Sequence, residues 1–215
     1  MCNAEVIEWF VDIILDYPGE FKNKRILELG SKNVNGSVRH IIEKMGSPNE
    51  YVGIDIEEGK CVDLVLPAEQ IIDYFGEESF DVVISTELLE HVKDWRLVID
   101  NIKKVLRRGG RLYITTRSYG YPYHGYPSDY WRYEESDMRK IFSDFTLLDI
   151  KTQEPTSAGL FIRAMKTGSQ EKMELKDISL YSIAIGKRTT KISELSLKRK
   201  CMLALRKVGL LKTVT

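Results

Sequence analysis

The chain has 215 residues, 43% hydrophobic and 30% charged, with 32 basic residues balanced by 32 acidic ones. That size and composition describe one core-forming globular unit with appendages, and the balanced charge gives no global field for nucleic acid. Cys2, Cys61 and Cys201 lie far apart with no C-x-x-C, so reduced thiols in a cytoplasmic protein are expected rather than a disulfide or metal framework.

His40, His91 and His124 show no ligand-pair spacing, and no metal is expected. The absence of a long apolar run predicts no membrane span, and Glu5, Glu8 and Asp12 among the first apolar residues predict no signal peptide. Residues 4–17 read as an amphipathic helix, with Val6, Ile7, Phe10, Ile13, Ile14 and Tyr17 at helical spacing and Pro18-Gly19 as the stop. A short apolar strand follows at 25–29. It runs through a turn of small residues (Gly30, Ser31, Asn35, Gly36, Ser37) into a helix at about 37–45. Strand, small-residue turn and helix together make room for a nucleotide-like ligand at the edge of a parallel sheet. Only Gly30 and Gly36 are present, and Glu28 stands two residues before the first. This acid suits an amine or sulfonium better than pyrophosphate.

Residues 51–56 read as a buried strand ending in Asp55, whose carboxylate can accept from a ribose diol. Strands are expected again at 62–66, 80–85 and 111–116. Pro67-Ala68-Glu69 starts a helix, and a long helix spans 93–107, closed by Arg107, Arg108, Gly109 and Gly110. Ser85, Thr86, Glu87 and His91 fall just past a central strand, where open α/β sheets bind ligands. The β-α alternation predicts a doubly wound, mostly parallel sheet. Residues 117–133 then form a long loop with six tyrosines and a tryptophan, expected to act as a lid or acceptor pocket. A helix at 134–142 and strands at 145–150 and 159–166 complete seven strands, the last antiparallel because its connection is short. Residues 177–185 are strand-like but unplaced. From Lys187 onward basic residues interleave with leucines, which predicts an amphipathic tail over 187–215 after a domain of residues 1–186.

With the strand tips in place, residues 25–166 resemble the class I S-adenosylmethionine-dependent methyltransferases, of the type 11-like kind. Glu28-Leu29-Gly30 looks like the family's first motif, Asp55 like its ribose-binding acid, and Ala68-Glu69 like its adenine-flanking position. Residues 80–92 look like its fourth motif, and residues 106–112 like its entry to the fifth strand. Lys32 and Val34 stand where the family more often has glycine. The resemblance implies S-adenosylmethionine as cofactor, held by Glu28, Gly30, Ser31, Gly36, Asp55, Ile56, Ala68, Glu69, Ser85, Thr86, Glu87 and His91.

More narrowly, residues 33–39 and 123–132 resemble a bacterial and archaeal subgroup often found among genes for surface polysaccharide or glycolipid synthesis. The implied reaction moves a methyl group to a hydroxyl or amine of a small molecule, glycan or lipid-linked acceptor. His124 is the first candidate general base and Asp129 the second, because both sit in the expected lid. Tyr121, Tyr126, Tyr130, Trp131 and Arg132 are the candidate acceptor contacts, with internal packing as the competing role for Trp131 and Arg132. A nicotinamide-dependent oxidoreductase and a catalytically inactive binding module are the alternatives. The basic tail suggests peripheral contact with an anionic membrane.

Overall fold

A computed structural model describes residues 3–125, 128–152, 159–168 and 173–191. Helix α1 (Ala4–Asp16) starts at Asn3, whose side-chain oxygen accepts from the Val6 N–H at 3.0 Å. It buries Val6, Trp9, Phe10 and Ile13. Trp9 takes the place that periodicity gives to Tyr17, because the helix stops at Asp16 and leaves Tyr17 exposed.

The main sheet holds β1 (Arg25–Leu29), β2 (Glu50–Asp55), β3 (Leu64–Val65), β4 (Phe80–Thr86), β5 (Leu106–Arg117), β7 (Phe145–Thr152) and β8 (Gly159–Lys166), the strand β6 (Trp131–Arg132) lying outside it. Its order is β3-β2-β1-β4-β5-β8-β7. The first five strands run parallel, and β8 inserts antiparallel to both β5 and β7. The expected seven-stranded α/β architecture is therefore present. Alternation along the strands divides the core between two faces. Ile26, Val82, Ile84, Tyr113 and Phe161 pack under α1, while Leu27, Leu29, Val83, Leu112, Ile114 and Ile162 face the other layer. That layer includes α3 (Ile71–Phe75), α4 (Trp95–Val105) and α5 (Glu135–Ile141), with Trp95, Val98, Ile99, Ile102 and Val105 of α4 fully buried. The short α2 (Arg39–Ile41) runs directly into a wide π turn, Ile42–Gly46, in place of one regular helix over 37–45.

Two other boundaries differ from the sequence reading. Only Leu64 and Val65 pair within the third strand, opposite Ile54 and Asp55. The helix expected to reach Arg107 ends at Val105, and Gly109 and Gly110 belong to β5 rather than to a helix cap. Pairing between β4 and β5 jumps from Phe80–Leu106 to Val82–Arg111, so residues 107–110 bulge out, with Gly109 at φ +74°.

The unplaced segment forms a second, three-stranded antiparallel sheet, in which β9 (Leu180–Ser182) lies between β6 and β10 (Lys187–Thr189). Two residues of the aromatic loop are thus a strand. The expected domain boundary at 186 falls inside the β9–β10 hairpin, so residues 187–189 belong to this sheet. Arg96 on α4 anchors the hairpin, donating to the carbonyls of Leu175, Ile178 and Thr190. The helix expected in the tail lies outside the described residues, beyond 191. Among the described residues no helix is long and apolar enough to cross a membrane.

Gly53 on β2 has no room for a side chain: a Cβ there would sit 2.3 Å from the Cys61 carbonyl oxygen and 2.7 Å from Ser31 Oγ. Gly53→Ala is expected to lower unfolding stability by about 1–3 kcal/mol, the usual cost of overpacking, as measured by urea denaturation.

Candidate active site

Chain direction reverses between β1 and β4. From β1 the chain proceeds outward to β2 and β3; it then returns to β4 on the other flank and continues to β5. The loops leaving β1 and β4 therefore diverge, and a crevice opens beyond their carboxyl ends. A cavity of about 310 Å³ lies there, within the range of roughly 300–1,000 Å³ usual for small-molecule sites.

Gly30 floors one side at φ +71°, where an added Cβ would come within 3.2 Å of the Leu88 side chain. The Asp55 carboxylate stands at the tip of β2. It is fixed by backbone N–H groups of Lys32 at 3.1 Å and Glu57 at 3.2 Å, one to each oxygen. Each oxygen keeps a lone pair for a ligand hydroxyl. Beyond it, Leu66, Ala68 and Glu69 form an edge that also lines the cavity. Asn101 of α4 pins this edge by donating to the Ala68 and Glu69 carbonyls at 3.3 and 2.8 Å.

Glu87 lines the opposite side and is held at φ +52°, a left-handed conformation uncommon for a residue with a side chain. It pairs with Arg117 at the end of β5. Burial pushes its pKa up, the nearby Glu90 charge adds to this, and Arg117 opposes it. Past Glu87 a single turn, Leu89–His91, places the fully buried Glu90 and the cavity-lining His91. Thr116 Oγ1 donates to Glu90 Oε2 at 2.9 Å. His91 Nδ1 lies 2.5 Å from the Ser128 carbonyl, and its Nε2 lies 3.1 Å from His124 Nε2. Burial holds the His91 pKa below its ordinary value.

Residues 27–114 match a family model described as a methyltransferase domain. The chain has a methyltransferase fold. A Burkholderia thailandensis 1,6-didemethyltoxoflavin-N1-methyltransferase, solved with 1,6-didemethyltoxoflavin and S-adenosylhomocysteine, superposes with a TM-score of 0.54 at 16% identity, over 76% of this chain and 88% of that one. The N-methyltransferase NodS of Bradyrhizobium japonicum, solved with S-adenosylhomocysteine, gives 0.55 at 16% identity over 75% and 86%. An S-adenosylmethionine dependent methyltransferase of Mesorhizobium loti gives 0.52 at 16% identity over 74% and 98%. No curated protein matches the sequence significantly.

Against this methyltransferase fold the expected site residues divide into three groups. Gly30, Asp55, Ile56, Ala68, Glu69, Glu87, His91 and Tyr130 line the cavity. Ser31, Gly36, Ser85 and Thr86 do not: Ser31 packs against Gly53, Gly36 donates its N–H to Asn33, and Ser85 and Thr86 are buried inside β4. Glu28 is also buried, but strand alternation turns it toward the α1 face, where it accepts from the Tyr51 hydroxyl at 2.8 Å. Lining residues that motif reading missed include Lys32, Glu57, Leu88, Lys93 and Ser128. Lys32 and Glu57 form an ion pair of 2.6 Å across the loop ends, a pairing that only the fold creates.

The aromatic loop is held together from within. Arg132, almost fully buried, grips both oxygens of Asp129 at 2.5 and 2.7 Å and donates to the Tyr121 and Pro122 carbonyls at 3.1 and 3.0 Å. Burial alone would raise the Asp129 pKa, but hydrogen bonds from Arg132 and His124 outweigh it and hold the carboxyl well below the ordinary range. Asp129 is thus committed to Arg132, and it also faces His124, whose Nδ1 lies 3.0 Å from Asp129 Oδ2. Trp131 is buried and donates its indole N–H to the Val92 and Lys93 carbonyls, so it packs the loop rather than contacting an acceptor. Tyr121 carries the Arg117 guanidinium over its ring at 4.1 Å and meets His124 edge-on at 5.2 Å, outside the cavity lining. Tyr126 lies outside the described residues. Backbone bonds from Tyr130 N–H to the Glu90 carbonyl and from Ile183 N–H to the Tyr130 carbonyl seat the loop between the main sheet and β9.

Removing the Arg132 guanidinium leaves a buried carboxylate unpaired, and Arg132→Met is expected to cost about 3–5 kcal/mol in urea unfolding. Burial raises the Glu28 pKa from 4.5 to about 7, against the Tyr51 hydrogen bond. The folded state thus holds this proton more tightly than the unfolded one. Stability falls as pH rises from 4.5 to about 7, by on the order of 3 kcal/mol from this group. Glu28→Gln is expected to remove that part of the slope and to unfold at higher urea than the native chain at pH 8.

Proposed function

We propose that this methyltransferase moves the methyl group of S-adenosylmethionine to a hydroxyl of a small polar acceptor of the sugar or glycolipid class. The observation that carries the cofactor reading is the charge and shape of the cavity at the β1–β4 reversal. Asp55 is placed to accept the two ribose hydroxyls, and Leu66, Ala68 and Glu69 form a slot for adenine. Gly30 lets the backbone approach the methionine portion. Four carboxylates line the cavity (Asp55, Glu57, Glu69 and Glu87) against two lysines, Lys32 and Lys93, a balance that suits a cation joined to adenosine and disfavours pyrophosphate.

The sulfonium is already activated, so the protein's main task is alignment of donor and acceptor with water excluded. The carbon–sulfur bond breaks with its electron pair passing to sulfur, while an acceptor oxygen lone pair forms the new bond to carbon. The acceptor enters beside His91, Ser128 and Tyr130, which form the wall shared by the cavity and the aromatic loop. Methyl transfer to an amine is the second reading, favoured by the two superposed proteins whose names describe N-methyl transfer.

Titration calorimetry with S-adenosylmethionine and S-adenosylhomocysteine is expected to show saturable binding of both. Asp55→Asn is expected to weaken each by about 10- to 100-fold, the worth of hydrogen bonds to a charged group. Absence of heat with either nucleoside would remove the cofactor assignment.

A further inference from the structure

Glu90, His91 and His124 bring one carboxylate oxygen and two imidazole nitrogens within 4.8 Å of one another. We propose that they bind one divalent transition-metal ion, which grips the acceptor through its hydroxyl oxygens; the second half of this statement rests on the function proposed above. His91 Nδ1 faces the Ser128 carbonyl at 2.5 Å, and a carbonyl only accepts, so Nδ1 carries the proton and Nε2 presents a lone pair. His124 Nδ1 faces the Asp129 carboxylate at 3.0 Å, and Arg132 holds that carboxylate from its other side. That contact lacks hydrogen-bond geometry, so His124 Nε2 presents a lone pair in the tautomer that keeps the proton on Nδ1. The two nitrogens face each other at 3.1 Å, close enough to share a proton or to hold an ion between them.

Glu90 is the second, independent sign. It is completely buried, and its Oε1 has no hydrogen-bond partner among the described residues, although it lies 4.0 Å from His91 Nε2 and 3.9 Å from His124 Nε2. A proton shared by the two imidazoles would satisfy both nitrogens and leave this oxygen unbonded. A metal ion satisfies all three. With metal–nitrogen distances of about 2.0–2.1 Å, two imidazoles on one ion stand about 3.0–3.4 Å apart, which brackets the separation seen here, whereas Glu90 Oε1, at 4.0 and 3.9 Å from the two nitrogens, has to close in on binding. Each imidazole is braced from behind by an oxygen, the outer-shell arrangement that orients histidine ligands. Two nitrogens and one carboxylate suit zinc, manganese, iron, cobalt or nickel rather than magnesium or calcium.

Three protein donors leave coordination positions open, and His91 itself lines the cofactor cavity. An acceptor hydroxyl bound there loses its proton to water more readily because the ion stabilises the alkoxide. The alkoxide lone pair then attacks the methyl carbon, and sulfur departs with the electrons of the broken bond. His124 thus serves as a ligand, which replaces the general-base role expected from sequence.

The test uses the full chain, stripped with a chelator and dialysed against cobalt(II) or zinc(II). Elemental analysis is expected to find one ion per chain, and the cobalt form is expected to absorb in the visible. His124→Gln and Glu90→Gln should each weaken cobalt binding at least about 10-fold and abolish the bands. Cys61→Ser, altering the separate His40–Cys61 contact at 3.6 Å, should change neither. S-adenosylhomocysteine affinity, measured on the same samples, should persist in all variants. Failure to bind a stoichiometric ion, or equal binding by the glutamine variants, would overturn the metal assignment even with nucleoside binding intact. Loss of nucleoside binding alone would overturn the cofactor assignment and leave the metal site standing.

Discussion

The reversal of strand order between β1 and β4 is the constraint from which the site follows. Two adjacent parallel strands end side by side, and their outgoing chains must turn to opposite flanks of the sheet. Backbone amides and carbonyls at both tips then need partners that the ladder no longer supplies. On the β1 side Asp55 meets part of this need through the Lys32 N–H. On the β4 side the Glu87 N–H reaches the Thr115 carbonyl at 2.9 Å, holding a residue in left-handed conformation at the mouth of the cavity. Strain and ligand space thus arise from the same topological event.

The aromatic loop depends on a different device, a buried fork between Arg132 and Asp129. The fork draws residues 121, 122, 129 and 132 into one unit, and Asp129 passes the order on to His124. Loops this rich in aromatic residues often rely on ring packing alone. Here rings and guanidinium share the task, with Tyr121 touching both Arg117 and His124.

Much of the fold was readable in the sequence because parallel strands covered on both faces carry consecutive apolar residues, as Val82-Val83-Ile84 and Leu112-Tyr113-Ile114 do. Asp55 and Ala68-Glu69 were readable for a related reason: strand tips are local, and their spacing survives folding. Glu28 was harder, since its motif neighbours suggest a ligand contact while strand alternation turns its carboxyl to Tyr51. Asp129 and Trp131 carried polar and aromatic chemistry that internal partners absorb, and burial of that kind is not encoded by spacing. Least accessible was the encounter of His91 with His124. His91 has Glu90 beside it, but His124 stands 33 residues away, and only the return of the aromatic loop over the turn Leu89–His91 joins them. The pairing of β6 with β9 was hidden for the same reason, its partners lying on either side of α5 and two main-sheet strands, β7 and β8.

The bond from Ile183 to Tyr130 has a consequence for how the molecule comes into being on the ribosome. Ser128 and Tyr130 wall the crevice together with strand tips complete by about residue 117, and that wall is clasped by a hairpin made later, through Tyr130, β6 and the Arg96 anchor. The strand-tip side of the crevice is therefore synthesised before the hairpin that clasps its other wall. Vectorial synthesis thus leaves a late segment, reaching Thr190, to secure a wall whose other residues were made much earlier.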